Sequence, residues 1–192
     1  MIDDTPPIIN VHGDLVGLGP IRGDLIPLYL QWSNDQSTSQ SIGLTWPATL
    51  EQETRRFEDR CVDPGSVWFT IYEMNSQIPV GLSWLYDVDH RHARASFGIS
   101  IGNLENRGRG LGTEATRLTL DYAFNDLGIE NVMLTVLSFN ESGVRAYENA
   151  GFTTFGVRRR CSRIGGQLHD LVHMECTASD FADQHRNKYP AG

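Results

Sequence analysis

The sequence predicts an α/β (α+β) fold in which a mixed, mostly antiparallel central sheet carries helices on both faces and contains one β–α–β crossover. Three observations support this prediction. Helical spacing of apolar residues alternates with short runs rich in β-branched and aromatic residues. The predicted elements follow in the order β, α, α, β, β, β, α, β, α, β, β. Most neighbouring strands are joined by turns too short for a crossover.

Composition limits the classes of protein that this chain can belong to. The 192 residues carry a net charge of −8 and are 40% hydrophobic, so we expect one domain over residues 1–192, with a tail that frays from about residue 182. No apolar run approaches the ~20 residues that span a bilayer. The widely spaced Cys61, Cys161 and Cys176 predict neither a metal site nor a disulfide framework. We therefore expect a soluble, cytoplasmic protein with no nucleic-acid or membrane partner, and a homodimer stays open.

The first third of the chain predicts one strand and two helices. Residues 13–21 form the strand, and Asp24 is the expected N-cap of the first helix. Thr49 and Gln52 form a capping box at the start of the second helix. The first helix has apolar residues at helical spacing, namely Leu25, Leu28, Tyr29 and Trp32.

The remaining strands are predicted as hairpins. Residues 66–74, 78–88 and 94–102 form a meander, in which the turn sequence NSQ joins the first two strands. Residues 153–162 and 168–176 form a last hairpin across the turn RIGGQ.

The crossover is predicted between the meander and the last hairpin. A helix starting near Thr113 ends at Gly128 and leads into a buried strand over residues 131–137. A short helix follows, with Asn140 as its N-cap and Gly151 after its last turn.

Three alternate glycines, Gly108, Gly110 and Gly112, precede the crossover helix in the stretch NRGRGLGTEATRL. A helix N-terminus presents unpaired N–H groups and a positive dipole end, so this loop can hold a phosphate group. The stretch lacks the glycine that a dinucleotide-binding fingerprint needs at Thr113, and it lacks the lysine of a Walker A loop. A pyrophosphate-binding loop and a plain tight turn both stay open on this motif alone.

A second motif, NESGVRAYENAGF over residues 140–152, opens a helix at the same carboxyl edge of the predicted sheet. Together the two motifs resemble the GNAT superfamily of acetyl-CoA-dependent N-acetyltransferases. The family's loop pattern, Gln/Arg-x-x-Gly-x-Gly/Ala, is matched by Arg107, Gly110 and Gly112. The order of elements also agrees. LQWSND, GTEATRL and YENAGF are most similar to the branch that contains ribosomal-protein N-terminal acetyltransferases and spermidine acetyltransferases.

The resemblance implies acetyl-CoA as co-substrate and no metal. Its pyrophosphate would lie on the backbone of the glycine loop, and its pantetheine arm would pair like an extra strand with residues 99–101. A splay between strands 94–102 and 131–137 would admit the thioester. For Arg145 a solvated position is an equal alternative. The implied cofactor-binding residues are Ile99, Ser100, Ile101, Arg107, Gly108, Arg109, Gly110, Leu111, Gly112, Thr113, Asn140, Ser142 and Arg145.

The resemblance also implies catalytic residues. Tyr147 matches the family tyrosine that protonates the departing thiolate, although a tyrosine there would also pack on its helix. Many relatives carry a glutamate two residues before a strand glycine. Here Gly98 matches the glycine and Ser96 stands in the place of the glutamate. Asp87, at the end of the preceding strand, is the first choice for a general base, acting through water.

The acceptor groove of this family lies between the first-helix region and the last hairpin, here residues 32–46 and 163–170. The acidic net charge favours a cationic acceptor. We expect a small-molecule primary amine, such as a polyamine, aminosugar or aminoglycoside, acetylated directly in a ternary complex. A protein N-terminal acetyltransferase and a catalytically degenerate acyl-CoA-binding module stay open. The expected substrate-binding residues are Trp32, Asp35, Trp46 and Ser96.

Overall fold

The computed structural model describes residues 6–36 and 47–185. In this part of the chain one sheet of eight strands forms the centre of the fold. The strands are β1 Val11–His12, β2 Val16–Pro20, β3 Val67–Glu73, β4 Pro79–Asp89, β5 Arg94–Ile101, β6 Asn131–Leu137, β7 Thr153–Ile164 and β8 Gln167–Thr177.

The α-helices of the described residues connect these strands and cover the sheet. The helix between β5 and β6 continues as a π-helical turn over Tyr122–Asp126. Within the described segments, no helix is long and apolar enough to cross a membrane. The helices are α1 Ile26–Asn34, α2 Leu50–Val62, α3 Leu111–Asp121, α4 Glu141–Ala150 and α5 Ala178–His185.

The strand order is β1-β2-β3-β4-β5-β6-β8-β7. All neighbours pair antiparallel except β5 and β6, which pair parallel and are joined through α3. Antiparallel neighbours need only a tight turn, whereas the parallel pair needs a helix-length connection. The predicted mixed sheet with a single β–α–β crossover is confirmed.

Alternate residues of β4 face two different helical layers. Ser83 and Leu85 face α3, where the Ser83 hydroxyl lies 3.0 Å from the Thr119 hydroxyl. Leu82 and Trp84 point to the opposite face and pack with the apolar residues of α1 and α2. Because side chains alternate along a strand, the sheet separates an α3 face from an α1–α2 face.

Side-chain caps fix several helix ends as predicted. Thr49 and Gln52 form both hydrogen bonds of a capping box at the start of α2. The Asn140 side chain accepts from the Gly143 N–H at 3.0 Å at the start of α4. Gly151 ends α4 in the left-handed region, with a φ of 118°.

The start of α1 differs from the prediction. A 3₁₀ turn over Gly23–Leu25 precedes the helix, so Asp24 is not its N-cap. The Asp24 carboxylate instead accepts two hydrogen bonds from the Arg22 guanidinium, at 2.9 and 3.0 Å. The ion pair with Arg22 therefore occupies the carboxylate oxygen atoms that an N-cap would use. Pro27 lies in the first turn, where its missing N–H does no harm.

The C-terminal segment forms a helix, α5, that was not predicted. The Thr177 hydroxyl accepts from the Asp180 N–H at 3.2 Å at the start of α5. Phe181 is buried against Phe124, with ring centroids 5.3 Å apart. Residues 182–185, predicted to fray, therefore continue a docked helix, while residues 186–192 lie outside the described part of the chain.

Candidate functional site

The strands of the crossover separate after a short paired stretch. β5 and β6 pair only where Arg94, Ala95 and Ser96 oppose Asn131, Val132 and Met133. Beyond these residues both strands continue unpaired with each other, so the predicted splay is confirmed. A cleft of about 800 Å³ opens there, with a lining from β4, β5, the glycine loop, β6 and α4.

The glycine loop adopts a backbone that needs glycine. Gly108 and Gly110 have φ values of +72° and +84°, and Gly110 is the N-cap of α3. Side-chain-bearing residues rarely occupy this region, because their Cβ crowds the backbone. No atom lies within 4 Å of the position that a Cβ on Gly108 would take. The loop therefore exposes bare backbone to the cleft at the start of a helix.

A second helix N-terminus faces the same cleft. Asn140, Ser142 and Gly143, at the start of α4, line it together with the glycine loop at the start of α3. Two helix N-termini thus direct unpaired N–H groups and positive dipole ends toward one cavity. This arrangement suits a ligand that carries phosphate groups.

The charged side chains of this cleft are all positive among the described residues. Arg107 and Arg145 line it, and no Asp, Glu or His of the described segments does so. Arg107 donates to the Ile101 carbonyl at 3.2 Å, and Arg145 lies 3.4 Å from Glu141. In a chain with a net charge of −8, a cleft without carboxylates favours an anionic ligand.

Tyr147 lies on α4 with its ring against the core. Its centroid is 6.3 Å from that of Phe97 and 6.1 Å from that of Phe152, both edge to face. Burial raises the pKa of Tyr147 to about 12. The side chain lines the cleft, and its hydroxyl has no hydrogen-bond partner among the described residues. Tyr147 therefore offers the cleft a hydroxyl that keeps its proton.

Most of the predicted cofactor and catalytic residues are brought together by the fold. Those that line the cleft are Ile99, Ser100, Ile101, Arg107, Gly108, Gly110, Gly112, Thr113, Asn140, Ser142, Arg145 and Tyr147.

Two predicted loop residues turn their side chains away from the cleft. The Arg109 guanidinium pairs with the Glu73 carboxylate of β3 and donates to Asn106 at 3.2 Å. Leu111 is 3% exposed and packs in the core beneath the loop. Only the backbone amides of these two residues are left to face a ligand.

The predicted base and its neighbour lie outside the cleft lining. Asp87 is exposed, with a φ of +50° in the irregular end of β4. Ser96 opposes Met133 in the last paired position of β5 and β6, so the strands are still joined there and leave no opening. Sequence spacing alone does not show where a parallel pair separates.

Two of the predicted acceptor residues line a second cavity, and a third lies outside the described part of the chain. Trp32 and Asp35 line a cavity of about 680 Å³ together with Glu105, separate in its lining from the first cleft. Trp46 lies outside the described residues. Residues 163–170, at the turn between β7 and β8, line neither of these two cavities.

Two aromatic residues of β4 line the first cleft but were not predicted to do so. Trp84 opposes Gly98, and Tyr86 opposes Ser96, across the β4–β5 pair. The available signal was the alternation of large residues on one strand opposite small residues on the next.

Comparison with known proteins places the chain among acetyltransferases. The family model of the acetyltransferase (GNAT) domain matches residues 16–153. The spermidine N(1)-acetyltransferase of Escherichia coli (strain K12) is 32% identical over 106 residues, which cover 55% of this chain and 56% of that protein. The chain therefore spans little more than half the length of this relative. The probable N-acetyltransferase YjcK of Bacillus subtilis (strain 168) is 28% identical over 126 residues, covering 64% and 69%.

The fold agrees with that of a solved structure. A crystal structure of spermidine N-acetyltransferase from Vibrio cholerae, in complex with CoA and spermine, superposes with a TM-score of 0.82 at 20% identity. The superposition covers 88% of this chain and 99% of that one. Because the family model covers the glycine loop, the splayed strands and Tyr147, we conclude that the chain belongs to the GNAT acetyltransferase domain family.

Proposed function

We propose that the protein transfers the acetyl group of acetyl-CoA to a primary amine of a small molecule, and that the acceptor is a polyamine. One observation carries the proposal. A cleft that no carboxylate of the described residues lines is faced by two helix N-termini and by the half-buried Tyr147. The spermidine acetyltransferases among the relatives favour the polyamine over the other small amines.

The glycine loop and β5 fit the two parts of coenzyme A. The N–H groups around Gly108, Gly110 and Gly112 would bind the pyrophosphate, and Arg107 and Arg145 would add positive charge. Residues 99–101 of β5 have no β6 partner, so the open edge of this strand could pair with the pantetheine amides, with Arg107 giving up its hydrogen bond to the Ile101 carbonyl where the ligand needs that oxygen. The splay then admits an acyl group between the two strands.

Tyr147 would act as the general acid. A thiolate leaves more readily as it receives a proton, and a tyrosine with a pKa of about 12 carries that proton at neutral pH. The acceptor ammonium first loses a proton to water, and its neutral nitrogen then forms the amide bond as the thioester C–S bond breaks. The departing thiolate takes the Tyr147 proton, the second nitrogen proton passes to water, and water reprotonates Tyr147. No carboxylate or imidazole of the described residues lines the cleft to accept either nitrogen proton. A role for the exposed Asp87 would have to run through water.

An acetylation assay on an amine panel tests this function. Purified protein with acetyl-CoA is given a polyamine, an aminosugar, or a short peptide with a free Ser or Ala N-terminus, while thiol release and product mass are followed. We expect acetylated polyamine. Acetylation of the peptides alone would replace the proposal with a protein N-terminal acetyltransferase. Binding of acetyl-CoA without transfer to any amine would indicate a degenerate acyl-CoA-binding module.

A further inference from the structure

The side chain of Trp84, on β4, lies across the neighbouring strand β5 at Gly98. It opposes Gly98 in the β4–β5 pair, and its indole lies over that residue. A Cβ added to Gly98 would be 2.3 Å from Cε2, 2.4 Å from Cζ2 and 2.6 Å from Nε1 of the indole. Real Cβ atoms do not approach so closely, so only glycine leaves room for the ring. Trp84 and Gly98 both line the cleft, so the ring forms part of the wall beside the splayed strands.

A row of stacked groups holds the Trp84 ring in place. Trp68 stacks on it with centroids 4.7 Å apart and planes 10° from parallel. The Trp68 N–H donates to the Ser66 hydroxyl at 3.1 Å, and the Arg60 guanidinium lies 4.3 Å from the Trp68 ring. Arg60 donates at 2.9 Å to Glu53, whose side chain is fully buried. Because the row is anchored in α2, the indole cannot swing aside without breaking several contacts.

The ring lies on the face of the sheet opposite Tyr147. Trp84 packs with the α1–α2 face, whereas Tyr147 packs against Phe97 on the α3 face. The cleft reaches both faces through the gap between β5 and β6. A thioester in that gap would have Tyr147 on one side and Trp84 on the other. An amine that enters from the α1–α2 face would therefore meet the indole.

We propose that Trp84 is a specificity-determining residue that admits primary amines on an unbranched CH₂ group and excludes amines on a branched carbon. A slender CH₂–NH₂ end passes a fixed indole, whereas a substituent on the amine-bearing carbon overlaps it. Polyamines are in the first class. Ring-borne amines of aminosugars and peptide N-termini are in the second. The inference rests on the proposed function and narrows its acceptor.

Two diamines of similar basicity test the inference directly. The values of kcat/KM for 1,4-diaminobutane and for 2,5-diaminohexane, which is branched at both amine carbons, are compared in wild type and Trp84→Ala. One additional methyl group changes selectivity by about 10- to 200-fold. We expect wild type to prefer the unbranched amine by at least ~10-fold and Trp84→Ala to lose most of that preference. Affinity for acetyl-CoA should change far less than the amine preference, which separates a wall residue from a general loss of structure.

Further variants keep the test decisive. Trp84→Phe retains an aromatic ring beside Trp68 and should lose part of the preference, even where Trp84→Ala folds poorly by circular dichroism. Phe155→Ala removes an exposed ring of β7 outside the cleft lining and should leave the preference unchanged. Equal use of both diamines by wild type, or an unchanged preference in a folded Trp84 variant, would overturn the inference alone. Absence of transfer to any amine would overturn the proposed function as well.

Discussion

At the scale of single residues, the surroundings of Tyr147 shift the pKa of its hydroxyl. Tyr147 lies against Phe97 and Phe152, and burial raises its pKa to about 12. A tyrosine in water would ionise near pH 10, so the apolar wall extends the pH range over which the hydroxyl holds its proton. The same packing that stabilises the core thus keeps the hydroxyl protonated at neutral pH, as the proposed general acid requires.

Replacing Tyr147 with Phe removes the proposed donor and keeps the ring. We expect kcat to fall about 10²- to 10⁴-fold, the usual range for general acid–base catalysis, with little change in acetyl-CoA affinity. Thiol-release kinetics and equilibrium titration measure the two quantities. Tyr122→Phe, outside the cleft lining, is the matched control and should turn over at close to the wild-type rate. Wild-type turnover in Tyr147→Phe would show that the residue only packs.

At the scale of elements, the glycine loop is held from outside by two carboxylates. Glu114, in the first turn of α3, accepts backbone hydrogen bonds from Asp14 at 3.0 Å, Leu15 at 2.6 Å and Val16 at 2.7 Å. Glu73 pairs with Arg109 inside the loop. These contacts connect the loop to the start of β2 and the end of β3. They fix its backbone before a ligand arrives, which reduces the ordering cost of binding.

Glu114→Ala should loosen the loop while leaving the chemistry intact. Hydrogen bonds to a charged group contribute about 1.5–3 kcal/mol, and water replaces part of this at an exposed turn. We therefore expect a loss of about 1–2 kcal/mol in the free energy of unfolding and a several-fold weaker acetyl-CoA affinity. Denaturant titration and binding titration check these values. At saturating acetyl-CoA, kcat should match wild type, and a reduced kcat would place Glu114 closer to the reacting groups.

Gly110→Val tests the approach of the pyrophosphate to the loop. Valine at a φ of +84° is strained, and its Cβ would lie 3.3 Å from Leu15 Cδ1. We expect acetyl-CoA affinity to fall by about 10-fold or more. The loss of one phosphate contact that contributes ~1.4 kcal/mol is enough to weaken binding tenfold. Gly128→Val has comparable strain at a φ of +66° away from the cleft and should bind normally. Equal affinities in the two variants would contradict the loop assignment.

At the scale of the whole molecule, buried groups with raised pKa values connect folding to pH. Burial raises the pKa of Tyr29, Tyr147 and Cys176 to about 12, from ordinary values of 10.0 for the tyrosines and 9.0 for the cysteine. The unfolded chain therefore ionises at lower pH than the folded chain. Their contribution to stability is complete below pH 9 and is lost as pH rises toward about 12.

Stability should consequently decline at alkaline pH. We expect the free energy of unfolding to change little on account of these groups between pH 7 and about 9 and to fall from there to about 12. Denaturant titrations at pH 8, 10 and 11 measure the slope. Tyr147→Phe should reduce the decline above pH 10, because one ionising group is removed. If Tyr147→Phe leaves the decline of unfolding free energy with pH unchanged, the raised pKa of Tyr147 is contradicted.

Much of the local structure was predictable because its causes lie within a few residues. The Thr49–Gln52 capping box, the Asn140 cap and the Gly151 helix end each join groups that are close in sequence. Asp24 was the exception, because its partner Arg22 competes for the same oxygen atoms. The two-residue strand β1 was also missed, since two residues show no periodicity.

The sequence by itself determined the order of elements from β2 to β8, the crossover and the glycine loop, because apolar periodicity and positive φ are local properties. Only the tertiary structure decided where β5 and β6 part, which left Ser96 in the paired stretch and opened the cleft beyond it. It also paired Arg109 with Glu73, 36 residues away, and laid Trp84 over Gly98. These outcomes depend on strand register, and register is set by packing of the whole sheet between its helical layers.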